Sequence, residues 1–518
     1  MKKILIMLTV GIFLGIAVIP VSVFAQADSI DQVRELKYWD QSRAFNGYTV
    51  LVQGRIIDME GNLVWTFPNY ATTGVYPDGT HLSQRTVSGR RQIVEWDLQG
   101  NEINVMPYQE LNGGRTDISQ HHEIIKMYNS ILGEETVAGI FYHNHTYDEA
   151  IANGADPDNN ITPGQTNITI DSIVEMRKDG TIIWEWEFWD HIVQNYDDTK
   201  LSYGDPADPA NWGKLDINHD TNSRPGLQAD WNHCNSMDYN QTLDQFVINS
   251  REHGEIYIID HGNTFVSTAQ DFIDDPVAAA AANRQATAGP AGDFLYRWGN
   301  PWNYGMGDGP TFNNNGQEQI FGAHCIHWIN EGLPGAGNLL IYDNSHFRPQ
   351  RADASYVYEF NPFLDASGVA QPNYVRDFDA GYHTTTSAYD GTTNTSNQVV
   401  WRWRVQDYRG TDLFSWYISG AQRLPNGNTL VNVGAVAHVV EVTDDFDVVW
   451  DYRNPSGTQF RAYRYPPDYS GFAGLDFVAV GPISESTIGG ALDKFRESKA
   501  GFAGTVVIIP GGGDIGPY

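Results

Sequence analysis

The chain of 518 residues carries 32 basic and 64 acidic side chains, which gives a formal charge of −32. A surface this acidic repels nucleic acid and anionic lipid, so we expect neither as a partner. An anionic substrate would have to be attracted locally, by the arginines and histidines of a pocket, against the field of the whole protein.

The first residues have the pattern of an export signal. Two lysines precede an apolar run over residues 4–24, and residues 23–25 supply a site for signal peptidase. We predict that residues 1–25 are a signal peptide, cleaved after Ala25, and that the mature protein is secreted, in the periplasm or outside the cell. The alternative is an uncleaved anchor, because the run approaches the ~20 residues that span a bilayer.

A polar leader over residues 26–46 is followed, over residues 47–470, by a repeated β-pattern. Each copy has a short apolar strand, an acidic or glycine turn, and a second strand near a tryptophan; the clearest copy runs from Val439 to Trp450. Radial repetition of four-stranded sheets explains six such copies without long exposed edges, whereas a pair of β-sandwiches does not. We therefore predict an all-β fold, a six-bladed β-propeller with loop insertions.

The uneven spacing of the copies predicts where the insertions lie. Candidates are residues 197–225 and residues 270–291, the second with a short Ala-rich helix. Residues 471–518 form a predicted C-terminal closure segment, with a helix over 491–498 and a strand over 505–509.

Histidines stand at the start of one particular strand in three of the repeats. His121 and His122 open one strand, His233 precedes another, and His324 opens a third. Propellers place functional groups around the central channel, at the ends of their inner strands. We therefore expect these histidines to converge there.

Several separate motifs resemble the bacterial and archaeal arylsulfotransferases, over roughly residues 45 to 460. The segments are DWNHCNSMDYN, YRWGNPWNYGMG, HCIHWINEGLPGAGNLLIYDN, SGAQRLPNGNTL and VVEVTDDFDVVWDYRNP. The resemblance implies transfer of a sulfuryl group from an aryl sulfate to a phenolic acceptor, with no cofactor required.

The same resemblance implies particular site residues. Two histidines and an arginine that surround the sulfate in the family match His233, His324 and Arg348. The family's nucleophilic histidine lies in a segment that corresponds to residues 409–420, which hold no histidine here. We therefore predict His122 as the nucleophile. Histidine suits nucleophilic or acid catalysis near neutral pH, and arginine offers a fixed fork to an oxyanion.

Two other functions use the same residues. His121, His122, His233 and His324 could instead hold copper or zinc through neutral imidazole nitrogens. A non-catalytic propeller could bind sugars or phenols on its aromatic side chains, although propeller blades also use Trp and Tyr for packing.

Two further features leave alternatives open. Cys234 and Cys325 each follow a central histidine and form either a disulfide or two buried thiols. His143 and His145 alternate on one strand face, where they either bind a surface metal or form a solvated strand end.

Overall fold

The computed structural model describes most of the chain after the predicted signal. The residues described are 35–52, 54–67, 74–158, 167–219, 229–311, 314–348, 354–387, 391–455 and 457–483. The predicted signal peptide and the predicted tail helix and strand lie outside these ranges. Within them, no helix is long and apolar enough to cross a membrane.

Six antiparallel sheets form a six-bladed β-propeller, which confirms the predicted fold. In chain order the first strands are β1 (Leu36–Trp39), β2 (Tyr48–Leu51), β3 (Arg55–Ile57), β4 (Leu63–Thr66), β5 (Thr80–Val87), β6 (Arg90–Asp97), β7 (Glu102–Met106), β8 (Ile118–Asn129), β9 (Glu134–Thr146), β10 (Asn167–Arg177), β11 (Ile182–Glu187), β12 (Ile192–Val193) and β13 (Leu215–Asp216). The remaining strands are β14 (Cys234–Asn240), β15 (Gln245–Ser250), β16 (Glu255–Asp260), β17 (Tyr296–Trp298), β18 (His324–Trp328), β19 (Leu339–Asp343), β20 (Tyr356–Phe360), β21 (Tyr382–Ser387), β22 (Gly391–Ser396), β23 (Val399–Arg404), β24 (Gly420–Arg423), β25 (Thr429–Val433), β26 (His438–Val442), β27 (Val448–Arg453) and β28 (Ala462–Tyr465).

Each blade contains one of the six repeats seen in the sequence. The first blade is β28-β2-β3-β4, the second β5-β6-β7, the third β8-β9-β10-β11, the fourth β14-β15-β16-β17, the fifth β18-β19-β20-β23, and the sixth β24-β25-β26-β27-β1. The strands β12 and β13 form a small parallel pair, and β21 and β22 form a hairpin.

Helices are few and lie between strands. They are α1 (Tyr108–Leu111), α2 (Tyr147–Ala152), α3 (Ala269–Asp274), α4 (Pro276–Thr287) and α5 (Asp377–Ala380). Single 3₁₀ turns occur at Phe188–His191, Pro209–Asn211, Pro290–Gly292, Pro301–Tyr304, Gly434–Val436 and Ser470–Phe472. The helix α4 is the predicted Ala-rich helix. It begins after Asp275, whose side chain accepts hydrogen bonds from two backbone N–H groups of the first turn.

Hydrophobic packing joins the blades to one another. Among the described residues, six hydrophobic clusters pack between the sheets, one at each junction of neighbouring blades. At the junction of the fourth and fifth blades, Trp298 stacks on Phe360 with ring centroids 4.0 Å apart. Such aromatic packing accounts for much of the Trp and Tyr content without any role in ligand binding.

The ring is closed by strands from both ends of the described chain. Near the C-terminal end, β28 pairs with β2 and completes the first blade. Near the N-terminal end, β1 pairs with β27 and extends the sixth blade, so the segment predicted as a leader contains a strand of the propeller. Between these two blades, the guanidinium of Arg464 pairs with the carboxylate of Glu441, and both side chains are fully buried.

Side chains also link neighbouring inner strands. In the third blade, Glu123 accepts a hydrogen bond from the backbone N–H of Met237 in the fourth, at 3.0 Å. In the fourth blade, Ser236 accepts from the N–H of Ile326 in the fifth, also at 3.0 Å. Because an inner strand has no neighbouring strand on its channel side, these bonds satisfy backbone donors that would otherwise lack partners.

The buried ion pair of Arg464 and Glu441 leads to a prediction about stability. We expect Glu441→Ala to lower the free energy of unfolding by about 3–5 kcal/mol, because it leaves Arg464 buried without a counter-charge. Denaturant unfolding followed by tryptophan fluorescence measures this loss. The exposed pair of Arg376 and Asp379 is the control, and Asp379→Ala should cost at most about 1 kcal/mol. Equal losses in the two variants would contradict closure by this pair.

Candidate active site

The three histidine-bearing inner strands begin with the same backbone irregularity. The pairing of β8 with β9, β14 with β15, and β18 with β19 shifts register within the first residues of each inner strand. His122, His233 and Cys325 adopt positive φ angles of 53°, 45° and 62° at these points. Residues other than glycine rarely adopt this conformation, which costs of the order of 1–3 kcal/mol. Strain repeated in three blades marks this end of the channel as a candidate site.

The structure brings the predicted histidines together. The ring centroid of His122 lies 5.2 Å from that of His233 and 4.8 Å from that of His121. His324 is close enough to both His122 and His233 for their charges to affect one another. The four histidines from three blades therefore form one cluster.

His233 is paired with an acid. Its Nδ1 donates to Oδ2 of Asp230 at 2.6 Å, and its side chain remains 29% exposed. Burial favours the neutral ring, but the charge of Asp230 and this hydrogen bond outweigh it, so the pKa of His233 is raised. Its Nε2 has no hydrogen-bond partner among the described residues. His233 can therefore donate a proton or a hydrogen bond to a bound molecule.

His122 has the opposite character. Burial, together with the nearby charges of His121 and His233, places its pKa well below the ordinary value. No hydrogen bond joins its ring to any other residue in the described part of the chain, and its face lies parallel to the ring of Phe460, 6.1 Å away. His122 is thus a neutral imidazole with a free lone pair, the form that acts as a nucleophile.

His324 is fully engaged by the protein. Its Nε2 accepts a hydrogen bond from the N–H of Ile418 at 3.2 Å, which places the proton on Nδ1. That proton is donated to Oδ1 of Asn344, at 2.7 Å. Burial and the charge of Arg461 keep the pKa of His324 well below its ordinary value. His324 therefore positions the segment that contains Ile418 and has no nitrogen left for a ligand.

His121 is also held by its neighbours. Its Nε2 donates to Oδ1 of Asp171 at 2.6 Å, and its ring stacks on Tyr142 with centroids 3.5 Å apart. The other oxygen of Asp171 accepts from the backbone N–H of Cys234, at 2.6 Å. This network joins the third and fourth blades behind His122.

Arg348 lies elsewhere. Its guanidinium forms a buried ion pair with Asp343 at 2.7 Å and packs over the ring of Phe321. Its other partners are Ser345, Gln319 and Tyr358. None of these is a central histidine, so the structure does not bring Arg348 to the cluster that the sequence predicted.

Two arginines that the sequence analysis missed stand at the cluster instead. Arg251 follows β15 directly, its N–H donates to the carbonyl oxygen of His233 at 3.3 Å, and its side chain is 19% exposed. Arg461 is buried just before β28, packs over Phe460, and lies 3.6 Å from Glu123. The hairpin of β14 and β15 could have located Arg251, because it brings the end of β15 to the start of β14. Arg461 reaches the cluster only because the propeller closes into a ring, and the sequence pattern does not show that contact.

The cysteines are not bonded to each other. Cys234 and Cys325 are both buried free thiols. The structure therefore agrees with two buried thiols and not with a disulfide.

Metal-ligand atoms are not closely grouped at the channel. Among the described residues, ligand atoms lie within 4.8 Å of one another only in the groups His143-Glu185-Glu187 and Asp78-Glu95-Glu135. The central histidines are in neither group, and three of them already use a ring nitrogen to bind a carboxylate or an amide oxygen of the protein.

Comparison with known proteins gives one strong match. A sequence profile described as Arylsulfotransferase (ASST) matches residues 46–455. No curated protein matches the chain.

Solved structures give only remote matches. A protein of unknown function from Bacteroides caccae has a TM-score of 0.35 at 11% identity, covering 81% of this chain and 98% of its own. A putative 6-phosphogluconolactonase from Bacteroides fragilis has 0.31 at 11% identity, with 82% and 100% covered. The periplasmic gluconolactonase of Pseudomonas aeruginosa has 0.30 at 10% identity, with 83% and 98% covered. Matches this distant say nothing about function.

The pair of His233 and Asp230 makes a prediction about pH. We expect histidine NMR titration to give His233 a pKa above the ordinary value of about 6.5, and Asp230→Asn to lower it below that value, because burial and the charge of Arg251 then outweigh the remaining attraction of Glu252. Since the folded-state pKa is raised, this pair stabilises the fold fully below about pH 6.5 and the stabilisation is lost as pH rises through the raised value. An unchanged pKa in Asp230→Asn would contradict this assignment.

Proposed function

The chain belongs to the arylsulfotransferase family, and from this premise we propose that it transfers a sulfuryl group from an aryl sulfate to a phenolic acceptor, with His122 as the nucleophile. The observation that carries the proposal is the contrast between two adjacent rings. His122 is neutral and has a free lone pair, whereas for His233, 5.2 Å away, Asp230 outweighs the effect of burial and raises the pKa.

His122 and His233 suffice both for transfer of the sulfuryl group from the donor to the enzyme and for its transfer to the acceptor. The lone pair of His122 attacks sulfur, an N–S bond forms, and the S–O bond to the aryl group breaks. His233 gives its Nε2 proton to the departing phenolate. The acceptor phenol then attacks sulfur and loses its proton to His233 while the N–S bond breaks. Both histidines return to their initial states.

Arg251 is the group that we assign to anion recognition. It is partly exposed, adjoins His233, and packs over the ring of Phe347 with its guanidinium 4.7 Å from the ring centre. One of its nitrogens, Nη1, pairs with Glu252, and its remaining N–H groups are the donors that we assign to the oxygens of a sulfate ester. Arg251 also supplies positive charge locally, in a protein whose overall field repels anions.

Aromatic side chains nearby suit an aryl group. The rings of Phe460 and Phe347 pack against the His122 ring and the Arg251 guanidinium. Trp416 is 45% exposed in the segment that His324 positions through Ile418. Flat apolar faces around a charged centre fit a phenyl ring that carries a sulfate. No cofactor takes part in the proposed reaction.

We also propose that the reaction occurs outside the cytoplasmic membrane. The support is the export pattern of residues 1–25.

Removing the nucleophile tests the proposal. We expect His122→Ala to lower the rate of acceptor-dependent phenol release from a chromogenic aryl sulfate by roughly a thousand-fold or more. His383→Ala is the matched control, because His383 is an exposed histidine on the hairpin of β21 and β22. The activity should survive treatment with a chelator. Full activity in His122→Ala, or loss on chelation, would contradict the proposal.

The two arginines should behave differently. We expect Arg251→Ala to raise KM for the aryl sulfate by about tenfold or more, with partial recovery in Arg251→Lys, because the charge contributes to anion binding. Arg348→Lys should leave KM nearly unchanged and lower the stability, because Arg348 holds Asp343 in the sheet. A large rise in KM in Arg348→Lys without one in Arg251→Ala would show that Arg348, and not Arg251, binds the sulfate.

A further inference from the structure

A second group of histidines and carboxylates lies in the third blade, away from the central cluster. His143 and His145 stand on β9, and Glu185 and Glu187 on β11. The strand β10 separates them, with Ile170 opposite His143 and Ser172 opposite Glu187. The sequence alone left His143 and His145 as either a surface metal site or a solvated strand end. The structure buries His143 at 5% exposure among acidic groups.

The polar atoms of this group are close but not hydrogen-bonded in the usual way. Nδ1 of His143 lies 3.3 Å from Oε1 of Glu187, and Nε2 of His143 lies 3.9 Å from Oε1 of Glu185. Nε2 of His145 lies 3.5 Å from Oε2 of Glu187. The Nε2 atoms of both histidines are buried and have no hydrogen-bond partner among the residues that the structure describes. Burying such atoms without a partner is costly, so a partner is missing from this group.

The separations suit ligands that share one ion. Atoms bound tetrahedrally at about 2.0–2.2 Å from a zinc ion lie about 3.3 Å apart, which is longer than a hydrogen bond and shorter than unrelated contacts. Nitrogen together with carboxylate oxygen favours zinc and its neighbours over calcium or magnesium.

The surrounding side chains orient the ligands. Arg115 binds Oε2 of Glu185 at 2.6 Å, which leaves Oε1 facing His143. Arg284 binds Oε1 of Glu187 at 2.8 Å, which leaves Oε2 facing His145. Partners of this kind fix ligands around metal centres. The ring of Trp189 stacks on His145, with centroids 4.1 Å apart, and limits its rotation.

We propose that His143, Glu185 and Glu187 bind one divalent transition-metal ion of the zinc class, with His145 beside Glu187 at the edge of the group. The ion would join β9 to β11 across β10 and so stabilise the outer part of the third blade. It would lie on the opposite face of β9 from Tyr142, the residue that stacks on His121 in the central cluster.

The second close group in the described residues makes a useful contrast. Asp78, Glu95 and Glu135 also have ligand atoms near one another. There, however, the ammonium groups of Lys126 and Lys178 lie among the carboxylates and supply the positive charge. Arg115 and Arg284 neutralise Glu185 and Glu187 in a similar way, so the difference between the groups is the imidazole: the second group has no buried ring nitrogen that lacks a partner among the described residues.

Metal titration of the tag-free, chelator-treated mature protein tests the proposal. We expect wild type to bind one equivalent of Zn²⁺ by calorimetry, and Co²⁺ to give the intense visible absorption of a four-coordinate site. His143→Ala should weaken Zn²⁺ binding by at least about 100-fold. Glu187→Gln provides a second variant that keeps its shape, and circular dichroism checks that each variant is folded.

Controls separate this site from other histidines. His383→Ala and His122→Ala should both bind Zn²⁺ as wild type does. Three results would overturn the proposal: no Zn²⁺ binding by wild type at millimolar metal, wild-type affinity in folded His143→Ala and Glu187→Gln, or loss of binding in His122→Ala, which would place the ion at the channel. None of these outcomes depends on sulfuryl transfer, so this proposal and the proposed function can fail separately.

Discussion

The centre of this propeller depends on how its inner strands satisfy their backbone donors. An inner strand has no neighbouring strand on its channel side, so its N–H groups need other partners. Glu123 and Ser236 provide them, each accepting from the inner strand of the next blade. These bonds tie three blades together at the point where their histidines begin. The backbone can therefore hold His122 and His233 at positive φ, because neighbouring structure over-determines their positions.

This rigid frame allows the pKa values of two adjacent histidines to shift in opposite directions. His233 has a carboxylate partner in Asp230, and His122 has none among the described residues. Neighbouring titratable groups with opposed environments are typical of acid–base and nucleophilic sites. The third histidine, His324, acts on the backbone instead, since Ile418 occupies its Nε2. The segment that lacks the family's nucleophilic histidine is thus held against the cluster by another histidine.

The sequence predicted the fold well because strand repeats are local. The six apolar strand pairs, such as Val439–Trp450, each mark one blade, and histidines at matched strand starts do converge. The role of Arg461 depends on a contact with Glu123, far away in the chain, and that of Arg348 on an ion pair with Asp343, five residues before it; periodicity encodes neither side-chain contact. Likewise, the strand β1 has only four residues and does not stand out before its partner β27 is known.

The most direct test of the account is to find which atom carries the sulfuryl group during turnover. The mature protein, mixed with an aryl sulfate in the absence of acceptor and quenched under alkaline conditions, should yield a sulfated peptide on mapping by mass spectrometry. We predict that the sulfuryl group lies on His122, and that the sulfated peptide disappears when a phenol is added before quenching. A sulfated Tyr417 or His233, or an unmodified protein that still turns over, would contradict His122 as the nucleophile.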